Sequence, residues 1–256
     1  MKNRYERILS LLTNDKKVEV SKLSDLFGVS KVTIRKDLDT LESRGLIKRE
    51  HGAAVLCSQD DINYRLAFHY DQKRIIARAA AGTVKNGETV MIESGSCCAL
   101  LADEIVHHKR DVTIVTNSAF IAHYVRDCPG GRIVLLGGDY QPDSQVVVGP
   151  LATANVKSYF VNKLFIGTDG FRPAFGFAAD NMLRAEVVKV MAGQADTVNI
   201  LTESAKFNQQ GIVPLLPYES VSAVYTDVQI PAEAENILQS HNVLVVKGDT
   251  GLKEKT

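Results

Sequence analysis

The chain is short of cysteine, has no long apolar run and carries no net charge, and each shortage narrows what it can be. Its four cysteines, Cys57, Cys97, Cys98 and Cys128, include no C-x-x-C pair, so a zinc site of the usual spacing is not expected. Neighbours such as Cys97-Cys98 rarely make a structural disulfide, and free thiols suit a reducing cytoplasm. No run of about 18 apolar residues occurs, so no membrane span is expected. The opening Met1-Lys2-Asn3-Arg4-Tyr5 lacks the apolar core of a secretory signal, which makes a cytoplasmic location the expectation. Neither a metal nor another cofactor is expected. Repeats and low-complexity segments are also absent.

The charge balance of zero hides an asymmetry. Residues 1–57 hold twelve Lys/Arg against eight Asp/Glu, whereas residues 58–256 hold eighteen against 22. A small basic module joined to a larger acidic one suggests two jobs. With 256 residues, 45% hydrophobic and 23% charged, the composition is globular and allows a sizeable core.

The first 57 residues predict three short helices and a hairpin. Tyr5, Ile8, Leu9 and Leu12 fall at helical spacing, and Thr13-Asn14-Asp15 breaks it. Val18 and Val20 predict a short strand. Ser21 is placed to cap a helix that buries Leu23, Leu26 and Phe27, and Gly28 ends it. Ser30 caps the next helix, whose inner face is Ile34, Leu38 and Leu41 and which Gly45 stops. Residues 46–50 and 54–57 flank His51-Gly52 as strand, turn and strand.

Two helices meeting across Gly28-Val29-Ser30 suit a helix-turn-helix. With Ile34, Leu38 and Leu41 inward, Lys31, Thr33, Arg35 and Lys36 turn to solvent on the first turns of the second helix. Cations and hydroxyls there, with Ser30 at the cap, suit phosphates and guanine edges in a major groove. Lys48, Arg49 and His51 on the hairpin are placed to touch neighbouring backbone or minor groove. A plain three-helix bundle with a solvated charged face is the competing structural explanation.

Residues 58–74 are read as a linker, polar at Ser58-Gln59-Asp60-Asp61. Ile75, Ile76, Ala79, Ala80 and Val84 then form a helical stripe. From residue 88 onward, short β-rich runs predict strands at Thr89–Ile92, Val112–Val115, Ile133–Leu136, Leu164–Ile166, Val198–Leu201, Val221–Tyr225 and Val243–Val246. Helical patterns such as Ala99–His107 and Met182–Ala192 fall between several of them. The alternation predicts an α/β domain with a mostly parallel sheet.

Ligands of such sheets bind beyond the carboxyl ends of the strands. The segments there are Glu93-Ser94-Gly95-Ser96-Cys97, Thr116-Asn117-Ser118, Gly137-Gly138-Asp139, Gly167-Thr168-Asp169-Gly170, Thr202-Glu203-Ser204-Ala205-Lys206 and Thr226-Asp227. Small, hydroxylic and acidic groups with one lysine fit a phosphorylated polyol. Ser94-Gly95-Ser96 opens a helix and can cradle phosphate, as can Thr116-Asn117-Ser118. Lys206 supplies a charge, and Asp169 accepts from sugar hydroxyls. Each loop taken alone is also an ordinary strand-to-helix turn.

These residues resemble a known family, the DeoR family of bacterial sugar-metabolism regulators. The resemblance is carried by R-x-x-x-I-L at Arg4–Leu9, V-S-K-L-S-D-L-F-G-V-S at Val20–Ser30, T-I-R-K-D-L at Thr33–Leu38 and R-E-H-G-A at Arg49–Ala53. It continues through I-E-S-G-S at Ile92–Ser96, I-V-T-N-S at Ile114–Ser118, L-F-I-G-T-D-G at Leu164–Gly170, E-S-A-K-F at Glu203–Phe207 and Y-T-D at Tyr225–Asp227. It implies a winged helix-turn-helix over residues 3–57 and, over 75–256, an α/β sensor domain similar to ribose-5-phosphate isomerase. Where most members have Asp, this chain has Glu93 and Glu203, and Cys97 and Cys98 stand where threonine is common.

The resulting expectation is a repressor of carbohydrate-metabolism genes, not an enzyme, with no catalytic residue. Its partners would be a double-stranded operator, a small phosphorylated sugar and further copies of itself, since one recognition helix reads few base pairs. The expected effector contacts are Glu93, Ser94, Gly95, Ser96, Cys97, Thr116, Asn117, Ser118, Gly138, Asp169 and Lys206. One alternative is a sugar-phosphate isomerase using Glu93, Asp169 or Glu203 as base. Another is a redox or metal sensor using Cys97 and Cys98 at a helix N-terminus, where thiol pKa values fall.

Overall fold

The computed structural model describes residues 4–15, 17–43, 47–50, 52–56, 61–128 and 130–248. The chain divides into two compact units, residues 1–69 and 70–256. Gly45, His51 and Cys57 lie outside the described residues, as do 58–60.

The first unit runs α1 (Arg4–Asp15), β1 (Lys17–Glu19), α2 (Val20–Phe27), α3 (Lys31–Ser43), β2 (Ile47–Glu50), β3 (Ala53–Leu56) and α4 (Ile62–Ala67). Its strands form an antiparallel sheet in the order β1-β3-β2. Ile8, Leu12, Leu23, Ile34 and Leu38 are wholly buried and belong to one apolar cluster. This is a winged helix-turn-helix.

Two local expectations are corrected. The strand stops at Glu19, and Val20 begins α2 as a buried residue. Ser21 therefore sits inside the first turn, where its hydroxyl donates to Glu19 Oε2 at 3.0 Å; the capping residue is Glu19, and no side chain caps the helix. The buried face of α2 is Val20 and Leu23, with Phe27 half-buried against the same cluster. Leu26 lies past the edge of that face and is 51% exposed.

Gly28 takes the left-handed conformation at φ +64° and its N–H bonds Ser24 O. A side chain there costs about 1 kcal/mol. Ser30 Oγ accepts from Thr33 N at 3.1 Å, capping α3. Arg4 Nε and Nη2 donate to Asp37 Oδ2 and Oδ1 at 2.6 and 2.8 Å, a bidentate tie between α1 and α3. The stretch 58–74, read as a linker, contains α4 and the first residues of the following helix.

The second unit begins with α5 (Tyr70–Ala81), β4 (Thr89–Ile92), α6 (Ser96–His108), β5 (Val112–Thr116), α7 (Ala119–Tyr124) and β6 (Gly131–Leu135). Next come β7 (Asp139–Gln141), β8 (Val146–Val148), α8 (Gly149–Val156), β9 (Val161–Ile166), β10 (Gly170–Arg172) and β11 (Gly176–Ala179). It closes with α9 (Met182–Ala192), β12 (Ala195–Leu201), β13 (Val213–Pro217), β14 (Ala223–Thr226), α10 (Ala232–Ser240) and β15 (Leu244–Lys247).

Seven strands form a parallel sheet in the order β15-β14-β12-β9-β4-β5-β6. All seven predicted strands are in it. The inner strands are runs of β-branched and other apolar residues because both faces are covered, as in β4 and the end of β9, whereas the edge strands β6 and β15 are partly exposed. Helices α8, α9 and α10 share one apolar cluster with strand residues such as Leu164, Ile166 and Ile200. Helix α6 packs with α5 and α7, all on the other face. Outside the main sheet lie a β7-β8 hairpin and a small sheet, β10-β11-β13. Neither was predicted. Among the described residues no helix is long and apolar enough to cross a membrane.

Candidate functional site

In the first unit, α3 buries Ile34, Leu38, Leu41 and Asp37 and leaves Lys31, Val32, Arg35, Lys36, Asp39 and Glu42 exposed. The cations gather on its first turns and the acids on its later ones. Ser30 and Thr33, expected to contact DNA, bond each other through their hydroxyls at 2.9 Å. Lys48 is exposed on β2. Arg49 pairs with Asp39, and its backbone N donates to Glu42 Oε1 at 3.0 Å. Arg49 thus pins the wing to α3. His51 lies outside the described residues. Sequence reasoning missed Val32, which is 60% exposed beside the cations. An apolar side chain there suits a thymine methyl, and its break from the inward stripe was the available signal.

In the second unit, the sheet reverses its order between β4 and β9, which pair with each other while the chain builds outward on both sides. That is a topological switch point, where such sheets bind ligands. The predicted loops all lie along this edge. At the switch, Glu93 Oε2 accepts from Gly95 N at 3.0 Å and Gly167 N at 3.3 Å, and Ser94 Oγ donates to Oε1 at 2.5 Å. Glu93 thereby ties the loops after β4 and β9 together. Gly95 and Gly167 approach so closely that a Cβ on Gly95 would lie 3.3 Å from Gly167 Cα.

Helix α6 starts at Ser96, and no side chain caps it. A helix start of this kind favours an anion through its backbone dipole. Cys97 in that turn feels the charges of Lys73, Glu203, Asp227 and Lys206. Lys73, on α5, is 3% exposed, and its ammonium lies 3.2 Å from Glu203 Oε2. Asp227 Oδ2 accepts from Ser204 N at 2.7 Å, which holds the end of β12 against the end of β14. Lys206 Nζ donates to Gln209 at 2.9 Å. Lys73 and Asp227 were not among the expected contacts.

Other expected contacts serve the fold. Thr116 Oγ1 accepts from Ser118 N at 3.0 Å, and Ser118 Oγ caps α7 by accepting from Ile121 N at 3.1 Å. Asn117 Nδ2 donates to Val147 O at 3.2 Å, while its buried Oδ1 has no hydrogen-bond partner among the described residues. Gly138 packs so tightly that a Cβ would lie 2.6 Å from Val148 O. Asp169 Oδ2 accepts from Asp180 N at 3.0 Å. Burial pushes the Cys97 thiol up to about 12, away from the range of a reactive thiolate. Cys98 is fully buried, and its thiol donates to Phe165 O at 3.7 Å.

Residues 4–60 match a family described as DeoR-like helix-turn-helix domain. Residues 68–228 match one described as DeoR C terminal sensor domain. The chain is similar to the putative aga operon transcriptional repressor of Escherichia coli O157:H7, 28% identical over 249 residues covering 95% of this chain and 92% of that one. It is 26% identical over 244 residues to the glycerol-3-phosphate regulon repressor of Escherichia coli K12, covering 94% of this chain and 96% of the relative. Among solved structures, ribose 5-phosphate isomerase A from Methanocaldococcus jannaschii is similar over 54% of this chain and 55% of its own, at 18% identity and a TM-score of 0.40.

Proposed function

We infer, from the premise that this chain belongs to the DeoR family of transcriptional regulators, that its second unit takes a phosphorylated sugar at the switch point and that occupancy there changes operator binding. The chain is a DNA-binding transcriptional regulator; the effector, the sign of regulation and the residues are the proposal. The observation that carries it is the start of α6, with Cys97 in its first turn, lying within electrostatic reach of Lys73 and Lys206. An amide-lined helix start with two ammonium groups suits a phosphate dianion. Ser94 and Ser96 at that start, Asp227 within electrostatic reach of it and Asp169 on the loop after β9 offer groups suited to sugar hydroxyls. In the first unit, Lys31, Val32, Arg35 and Lys36 on α3 would enter a major groove, with Lys48 on neighbouring backbone. Repression is the sign we assign, following the relatives' names, with a cytoplasmic location and a homo-oligomer reading paired half-sites.

This reading includes no catalytic turnover. Glu93 accepts from two loop amides and Glu203 pairs with Lys73, so two of the three carboxylates an isomerase could use as base are engaged. A ligand shifts DNA affinity only if it binds two conformations unequally. The test is fluorescence anisotropy on DNA upstream of the protein's own gene, with a panel of sugar phosphates and their dephosphorylated counterparts. Phosphorylated sugars alone should change the affinity. Steady turnover of any of them, or equal response to both classes, would overturn the reading.

A further inference from the structure

We propose that Asp103, His107 and Cys128 form a binding site for a thiophilic divalent transition-metal ion such as zinc. One donor atom from each lies within 4.8 Å of the other two. Asp103 and His107 are one turn apart on the last turns of α6, and Cys128 follows α7. The site sits at the far end of α6 from the switch point, so it shares no residue with the proposed effector site.

Three features point to a metal. First, His107 Nδ1 lies 2.8 Å from Asp103 O. Donation of the Nδ1 proton to that carbonyl leaves Nε2 as the lone-pair nitrogen, which is how protein carbonyls orient metal-binding histidines. Second, Nε2 lies 3.6 Å from Cys128 Sγ. Metal–nitrogen and metal–sulfur bonds of about 2.0 and 2.3 Å at a tetrahedral angle require donors roughly 3.6 Å apart. Third, Asp103 Oδ1 lies 3.3 Å from Nδ1, and the histidine side chain is 52% exposed, so an ion can enter and keep solvent in its remaining position. Thiolate and carboxylate supply the charge that balances a dication, and thiolate with imidazole selects zinc-like ions over magnesium or calcium. Binding replaces the Cys128 S–H bond with a sulfur–metal bond and releases the proton to solvent. The absence of C-x-x-C could not reveal a site assembled from positions 103, 107 and 128.

The test uses chelator-treated full-length protein titrated with Co²⁺. A tetrahedral thiolate site gives visible d–d bands and a near-ultraviolet sulfur-to-cobalt band, saturating at a single ion per chain and displaced by Zn²⁺. Cys128→Ser should abolish the charge-transfer band. Asp103→Asn, which removes the carboxylate donor, and His107→Gln, which removes the imidazole donor, should each weaken binding by at least about 10-fold. Melting temperatures taken without metal keep folding separate from binding. Absence of the charge-transfer band in the parent protein, or its survival in Cys128→Ser, would overturn the proposal.

Discussion

Lys73 and Glu203 make the same prediction for stability and opposite predictions for ligand response. Their charged atoms lie 3.2 Å apart, and their side chains are 3% and 12% exposed. Removing one member of a buried pair strands the other and costs about 3–5 kcal/mol, whereas replacing both with apolar groups is often neutral. Lys73→Met and Glu203→Gln should each lower the melting temperature of the second unit by roughly 6–20 °C, at about 2–4 °C per kcal/mol for a unit of this size. Lys73→Met combined with Glu203→Leu should recover most of that. Ligand response separates the two residues. At about 100 times its dissociation constant an effector stabilises the native state by about 2.7 kcal/mol. Lys73→Met should lose most of that gain because the phosphate loses a cation. Glu203→Gln should keep or enlarge it because the phosphate loses a competitor. Urea unfolding with and without an active sugar phosphate reads both effects. If both variants lose the ligand gain equally, the pair is scaffold and the phosphate does not meet Lys73.

Four further outcomes follow from the structure. Arg35→Ala should weaken specific operator binding by about 1–3 kcal/mol and relax sequence preference, while Lys36→Ala should reduce the salt slope by about 1; unchanged binding in both would remove α3 from the groove. Asp37→Ala breaks the bidentate bond from Arg4 and should destabilise the first unit by about 1.5–3 kcal/mol in urea unfolding, so an unaltered midpoint would count against the tie between α1 and α3. Burial pushes the Glu104 carboxyl up, but hydrogen bonds from Arg78 and Arg74 outweigh it and hold the carboxyl below its ordinary 4.5; its stabilisation is complete above that value and lost as pH falls through the lower folded one, and Glu104→Gln should flatten this acid limb. Cys97, pushed up to about 12 by burial, should resist alkylation at pH 8 while Cys128 is modified, and equal labelling in mass-mapped native protein would refute its protection.

The large sheet was legible because burial on both faces writes a parallel strand as a continuous apolar run, as in Thr89–Ile92 and Leu164–Ile166. Strand ends shifted by a few residues where polar positions such as Asn162 and Lys163 extend β9 beyond its apolar part. The small antiparallel strands were not legible. Asp139–Gln141 and Gly170–Arg172 are three residues each, too short to show a period. Strand β11 finds its partner β13 only after α9 and β12 intervene. In the first unit the inward face of α3 was readable from Ile34, Leu38 and Leu41. The start of α2 was not, because Ser21 suggested a cap two residues after the actual one at Glu19.

Site residues divide along the same physical line. Chain direction fixes which loops lie at the carboxyl edge of a parallel sheet, so the loops could be found without coordinates. Neighbours decide what remains open within them. Thr116 and Ser118 carry suitable hydroxyls, but a local turn and the cap of α7 use both. Glu93 carries a suitable carboxylate, but two loop amides and Ser94 occupy it. Lys73 was overlooked for the opposite reason, since Asp71-Gln72-Lys73-Arg74 looks like a solvated helix start. The signal was present in phase: Lys73 shares the buried face with Ile76, Ala77 and Ala80. An ammonium on an apolar stripe is costly unless an anion meets it. The end of β12 supplies that anion as Glu203, and a bound phosphate would compete for the same charge, so the position of a lysine within a hydrophobic stripe carried more information about the site than the hydroxyl count of any loop.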